Sequence, residues 1–472
     1  MRFQFIDSNP GQACPAAAKK RIPSLLCAVD RLNRAVENGA VEVLTLSGKK
    51  RYIVPELPSV ITYAVTGQST IASWDVIADA RFDVSHFVGI YSTKIDGKVV
   101  TIEIKPRWGG AILGYLLQYT TGIFMPPDAA SEMDVARGSA EWLLVLLWKS
   151  MFNQALRRSH IPKEYRATRT NSRFFKGRLD VQRQIRENTA DQSKFCCVHA
   201  PLTVDTTINR TIRHVVRLLS RNNGYAILMS DFASYDQRLA SLGVEQCEVS
   251  PAEIDRIRYT RMSNGYRQLM QTSKAVIQRF GAGSSESLRD DTSFFIDIAE
   301  IWENYLQAIL TKHLPKDYRV FSPNEQGGEW LIANSKREIR PDIIISKKNH
   351  VVAILDAKYK AVRSIGKTAR EGVSREDLYQ MTSYLYHYGK AGVPLLCLFI
   401  SPSPGALIAQ ADSMTAERRH HMGVLNFDLS QFDNPNAPWD TRAKLIDIVA
   451  IQQREKDFAG AVRKLLEQLE AS

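Results

Sequence analysis

Two short runs of β-branched and aliphatic residues, Ile343 to Ser346 and Val351 to Leu355, flank the polar stretch Lys347-Lys-Asn-His350. That pattern predicts a β-hairpin, and it constrains the chain more than any other feature because charged groups Asp342, Asp356 and Lys358 stand at its base. Side chains alternate along a strand, so Asp356 and Lys358 share a face. A hairpin centred on Asn349 sets Asp342 across from Asp356 on that face, and a slip of one residue would separate them. Opposed carboxylates in a half-buried site repel unless a cation lies between them. Their hard oxygens suit Mg²⁺, or Mn²⁺ in its place, an ion that keeps several waters and takes further ligands from phosphate. The expectation is metal-assisted phosphodiester hydrolysis. The metal would polarise the phosphoryl oxygen and generate hydroxide, while Lys358 orients the water or stabilises developing charge.

An Asp-x-Lys triplet alone is common and usually marks a solvated strand end. The composite is more specific: Pro341-Asp342, strand, turn, strand and Asp356-Ala-Lys358 together resemble the PD-(D/E)xK nuclease signature. Upstream, Ser293 to Leu314 carries Phe295, Ile298, Trp302, Tyr305 and Ile309 at helical spacing with Glu303 at the stripe's edge. Downstream, Gln380 and Tyr384 resemble the Gln-x-x-x-Tyr element of some members of that superfamily. The resemblance implies catalytic roles for Asp342, Asp356, Lys358, Glu303 and Gln380, with Asp342, Asp356 and Glu303 as metal ligands.

Charge agrees with a polyanionic partner. The 472 residues carry a formal net charge of +12, and Arg157 to Arg186 contributes ten Lys or Arg against Glu164 and Asp180. Interleaved with Tyr165, Phe174 and Phe175, this segment offers Arg169, Arg173, Lys176 and Arg178, with Tyr384 elsewhere, as candidate contacts to double-stranded DNA. A solvated basic face, or a surface that docks an acidic protein, is the plainer reading. Six cysteines make neither a disulfide framework nor a zinc spacing, which suggests reduced thiols and a cytoplasmic setting. No run is long and apolar enough for a signal peptide or a membrane span.

The expected fold is multidomain α/β. Residues 1–110 read as β-rich, with a hairpin around Asp96-Gly97. Residues 111–285 read as mostly helical and basic, and 290–472 as an endonuclease domain of the PD-(D/E)xK, restriction-endonuclease-like α/β type. The first hairpin holds a decoy, Glu103-Ile-Lys105. Its upstream acid Asp96 lies in the turn and cannot face Glu103, so the triplet is read as structural. Asp205 or Thr206 is expected to cap a helix through Leu219. Gly366-Lys-Thr368 imitates the end of a Walker A loop but lacks its first glycine, the place being Ala361, so this chain is not expected to hydrolyse nucleotides.

Taken together, Gly177-Arg-Leu-Asp180, Asp205-Thr-Thr-Ile-Asn-Arg210, Asp297, Trp302-Glu303, Tyr305, Arg340-Pro-Asp342, Asp356-Ala-Lys-Tyr359 and Tyr379-Gln380 resemble the McrC family. Those proteins are nuclease subunits of McrBC-type, modification-dependent (type IV) restriction systems that act in antiviral defence. The resemblance implies a division of labour. A separate McrB-like AAA+ GTPase or ATPase ring recognises modified DNA and translocates it, while residues 1 to about 280 of this chain dock on and stimulate that ring and 290–472 cut. Two rival readings are a non-catalytic activator of a motor NTPase and a stand-alone RecB-like DNA-repair exonuclease.

Overall fold

The computed structural model describes residues 2–6, 12–13, 22–37, 42–44, 60–66, 79–108, 110–121, 141–158, 160–222, 225–281, 294–323, 329–330, 338–359, 373–390, 393–403, 407, 409–414, 419–428 and 448–471. The Walker-like Gly366-Lys-Thr368 lies outside them, as do Arg51–Val54, which reads from sequence as a short strand, and most of Gly281–Ser287, whose composition reads as a flexible joint. The chain divides into two compact units, one of Met1–Leu143 with Asp290–Ser472 and the other of Leu144–Arg289. Among the described residues no helix is long and apolar enough to cross a membrane.

In the first unit, a five-stranded sheet runs Arg2–Ile6, Lys98–Lys105, Phe87–Ile95, Phe294–Asp297, Glu42–Leu44. Asp96 and Gly97 turn between the second and third of these with φ of 49° and 72°, as a tight hairpin turn needs. The helix Ile22–Glu37 buries Ile22, Leu25, Leu26, Val29, Leu32 and Val36 in one core with Phe5, Phe87, Ile102 and Phe295. Those positions follow the i, i+3, i+4, i+7 rule, so the N-terminal region is less purely β than the sequence reading held. The three consecutive regions of that reading also differ from the units of the fold. Phe294–Asp297 comes from the C-terminal segment, yet it pairs with Phe87–Ile95 on one side and Glu42–Leu44 on the other.

A six-stranded sheet follows in the same unit, ordered Tyr318–Phe321, Ile343–Lys347, His350–Ala357, Leu396–Ser403, His421–Asp428, Ala409–Ser413. Ile343, Ile344, Ile345, Ile354 and Leu355 are at most 1% exposed, and each such side chain contributes roughly 1.5–3 kcal/mol by burial. His350–Ala357 and Leu396–Ser403 are parallel, so the chain must cross over between them, and helix Arg375–Tyr388 lies in that connection. Its first turn follows the end of the strand that carries Asp356. Glu455, fully buried on helix Ile448–Ala471, accepts hydrogen bonds from the Tyr115 and Tyr305 hydroxyls at 2.7 and 3.1 Å. It thereby ties that helix to Gly110–Thr121 and Ile298–His313.

The second unit packs helices Thr207–Ser220 and Arg267–Phe280 and carries short strands, which the mostly helical expectation for 111–285 did not include. Thr168–Ser172 and Arg178–Leu179 flank Phe195–His199 in a three-stranded sheet. Two motifs singled out in the sequence fold this part. Gly177 has φ +72°, and a Cβ there would stand 2.5 Å from the Val198 carbonyl oxygen, so only glycine fits. Asp180 caps helix Val181–Asn188 and Thr206, not Asp205, caps Thr207–Ser220. Asp205 instead takes the guanidinium of Arg210, which holds its carboxyl down at about 2.

Candidate active site

The paired carboxylates owe their alignment to a bulge. The turn residues Lys348 and Asn349 have φ of 49° and 63°, and Lys347 pairs with His350. An undisturbed ladder from that turn would set Asp342 across from Leu355, out of phase with Asp356. The register shifts between Ile345 and Ser346, leaving Val352 as the extra residue, so that Ile343 pairs with Leu355. The next step of that ladder puts Asp342 opposite Asp356. The expectation of a hairpin centred on Asn349 reached the same pairing without the bulge, which hydrophobic alternation does not reveal.

Asp342 Oδ2 accepts the Ala357 N–H at 2.8 Å, which clips the entry of one strand to the exit of the other. Asp356 is 4% exposed and its Oδ2 lies 2.7 Å from Lys358 Nζ. Lys358 Nζ reaches a second carboxylate, Asp377 Oδ1, at 2.8 Å. Burial works against the ammonium, but Asp356 and then Asp377 outweigh it and hold the Lys358 pKa above the usual lysine value. The lysine is therefore a fixed cation between two anions.

Asp377 was not among the residues expected from sequence. It sits at the third position of helix Arg375–Tyr388, where its side chain and that of Ser374 form a capping box. That box is legible as Ser-x-x-Asp, but the pairing with Lys358 depends on how the crossover helix returns to the sheet. On the same helix, Gln380 Nε2 donates to the Tyr384 hydroxyl at 2.6 Å, and that hydroxyl donates to the Arg340 carbonyl at 3.1 Å. Burial, followed by the nearby carboxylates of Asp342 and Asp356, pushes the Tyr384 pKa up. Tyr384 is only 5% exposed and braces the segment before Asp342, where the sequence reading had it contact DNA. Tyr379 and Tyr386 are the solvent-facing aromatics of that helix, at 71% and 89%.

Glu303 is half-buried on helix Ile298–His313. Among the described residues no three His, Cys, Asp or Glu are gathered to hold a metal ion. The two aspartates still fit a hard divalent ion in kind. Asp342 is bonded to the amide of the residue next to Asp356, and Mg²⁺ is commonly held by one or two carboxylates plus waters and phosphate.

The basic candidates lie in the second unit. Arg169, Arg173, Lys176 and Arg178 are exposed and make no ion pair with a described carboxylate, whereas Arg166 and Arg183 are paired with Glu164 and Glu187 at 3.0 and 2.7 Å. Beside the four unpaired cations, Phe174, Phe175, Val181 and Ile185 are 57–73% exposed.

The model of the McrBC family, described as the McrBC 5-methylcytosine restriction system component, matches residues 82–397, well over half of the chain. No curated protein matches the chain. Among solved structures, it is similar over 98% of its length and 100% of the other chain to one from the half-complex of Thermococcus gammatolerans McrB AAA+ hexamers with bound McrC, with 16% identity and a TM-score of 0.54. It also matches a chain of the cryo-EM structure of the Thermococcus gammatolerans McrBC complex, with 17% identity, 67% and 89% of the two chains covered and a TM-score of 0.35. The family match spans both the bulged hairpin and the motifs that build the second unit, and this chain accordingly belongs to the McrBC 5-methylcytosine restriction system component family.

Proposed function

We propose that the chain is the Mg²⁺-dependent endonuclease subunit of its restriction system, built on a PD-(D/E)xK domain, and that it docks on and stimulates a McrB-like AAA+ NTPase that recognises modified DNA. The observation that carries this reading is the shifted register of the hairpin, which continued one step sets Asp342 opposite Asp356, with Asp342 bonded to the Ala357 amide and Lys358 fixed beside Asp356. A structure similar over nearly the whole chain has McrC bound to McrB AAA+ hexamers, which supports the partner.

Asp342 and Asp356 would hold the metal. When bound, the ion polarises the scissile phosphate and lowers the pKa of its water. The chain's own groups do the rest. Lys358 stays protonated between Asp356 and Asp377 and meets the charge that develops on the phosphate, or orients the attacking water. Ala357 N–H orients Asp342, and Tyr384 with Gln380 fixes the Arg340 carbonyl two residues before it. Contacts of this kind, made within the chain itself, are what electrostatic preorganisation requires.

The exposed tip around Phe174 is better suited to the partner than to bare phosphate. Unpaired cations would serve either surface, but four exposed apolar side chains beside them favour a protein. The decisive experiment is Mg²⁺-dependent cleavage of methylated and unmethylated plasmid by wild type and Asp356→Ala, with and without the AAA+ partner. Partner-dependent cutting that the variant loses supports the reading. Cutting without a partner would point to a stand-alone exonuclease, and intact NTPase stimulation without any cutting would point to an activator.

A further inference from the structure

We propose that Arg107 is a positioning residue through which the N-terminal sheet sets Lys358 for cleavage; this rests on the nuclease reading above. Strand Lys98–Lys105 ends at Pro106, and the turn that follows carries Arg107 and Trp108 to the exit of the catalytic hairpin. The Arg107 guanidinium hydrogen-bonds to the carbonyl oxygen of Tyr359, the residue after Lys358. Its central carbon lies 4.7 Å from the ring centre of Trp108 and 4.8 Å from that of Tyr359, so the cation is held between two aromatic rings. Trp108 and Tyr359 are 6% and 5% exposed, and a desolvated cation over two rings is worth more than an exposed one.

The consequence falls on Lys358. Its amide donates to the Ile400 carbonyl at 2.7 Å, which fixes the backbone on the sheet side. Arg107 fixes the Tyr359 carbonyl, one residue further on, so the backbone is anchored on either side of the 358–359 peptide. The side chain must reach Asp356 and Asp377 at once, at 2.7 and 2.8 Å, and rotation of the 358–359 peptide would spoil that geometry. Displacement of a reacting group by about 1 Å costs on the order of 100-fold in rate. Only a flat guanidinium can lie between two rings and donate in its own plane, so lysine is a poor substitute. The N-terminal sheet can thereby influence cutting without touching DNA.

The test uses the full-length protein with its AAA+ partner, Mg²⁺ and plasmid, alongside hydrogen exchange of peptides that end at Lys358 and Tyr359. Arg107→Ala should lower kcat on the order of 100-fold, leave KM for DNA and NTPase stimulation unchanged, and speed exchange at those two amides. Arg107→Lys should recover part of the rate, which a loss of bulk stability would not produce. Unchanged exchange, or faster exchange with unchanged kcat, in a protein that cleaves would overturn the proposal alone. A wild type that does not cleave under any condition would remove the nuclease reading, and this proposal with it, whatever the exchange shows.

Discussion

Two hairpins in the first unit end in an acid, one residue and a lysine, and both bury the acid: Glu103 is fully buried and Asp356 4% exposed. Both also turn on residues of positive φ, Asp96-Gly97 and Lys348-Asn349. They differ in what stands across the ladder. The first runs without a shift, so Glu103 lies opposite Ile90 on one side and next to Gln4 on the other, whose amide donates to it at 2.9 Å. The second is bulged, so continuing its register past Ile343 and Leu355 sets Asp342 opposite Asp356. A buried carboxylate with an amide donor is a satisfied core group, whereas one opposite a second carboxylate and beside a shared lysine is a candidate site. The chemistry belongs to the neighbouring strand rather than to the triplet.

The sharpest way to break this contrast is to neutralise each acid in turn. Asp356→Asn should lower plasmid cleavage by about 1000-fold, the equivalent of roughly 4 kcal/mol in the barrier, while Glu103→Gln leaves the rate per folded molecule unchanged. Equal losses in the two variants would collapse the distinction. A smaller effect, about tenfold, is expected for Asp377→Asn, with a change in pH dependence. Removing an anion beside the ammonium lowers the Lys358 pKa, so the alkaline limb of the rate profile should move to lower pH. In the wild type that pKa is raised, so the stabilising contribution of Lys358 is complete below the unfolded lysine value and is lost only as pH rises through the higher folded one. An alkaline limb that stays in place would dissociate Asp377 from the lysine.

Stability separates the hairpins at lower cost. Glu103→Ala leaves the Gln4 amide without its acceptor and should lower the unfolding free energy by about 2 kcal/mol in urea titration. Asp356→Ala should cost less, because Lys358 keeps Asp377 and a repelling carboxylate is gone. The smallest effect is at the first turn. Gly97 has φ +72° with open space around it, so Gly97→Ala pays only the backbone term, about 1 kcal/mol.

Much of the candidate-site hairpin was legible because it is local: two apolar runs and a polar turn state the strands, and period-two alternation states which charges share a face. Asp377 was not legible, since its distance to Lys358 is set by the return of a crossover helix. The strand Phe294–Asp297 was hidden for another reason. Its apolar residues run straight into the helical stripe of Ile298–His313, and the sequence reading merged the two, with Phe295 counted on the helix. The Ile22–Glu37 helix had a clear helical period that the β-like runs after it obscured. In the second unit, the Gly177 and Asp205 motifs were visible as motifs, but only the fold shows Gly177 forced by the Val198 carbonyl and Asp205 held by Arg210.

The place of Phe294–Asp297 between Phe87–Ile95 and Glu42–Leu44 bears on how the protein comes off the ribosome. Nascent strands from the first hundred residues emerge with a gap in their sheet that the ribosome fills only after the whole of Leu144–Arg289 has been made. The second unit is continuous in sequence and can condense first, while the strands before it wait with their edges open. Chains that stop short of residue 294 should therefore be substrates for chaperones and proteases, and a release of full-length protein into urea-free buffer should show the 144–289 unit gaining exchange protection ahead of the sheet that encloses it in sequence.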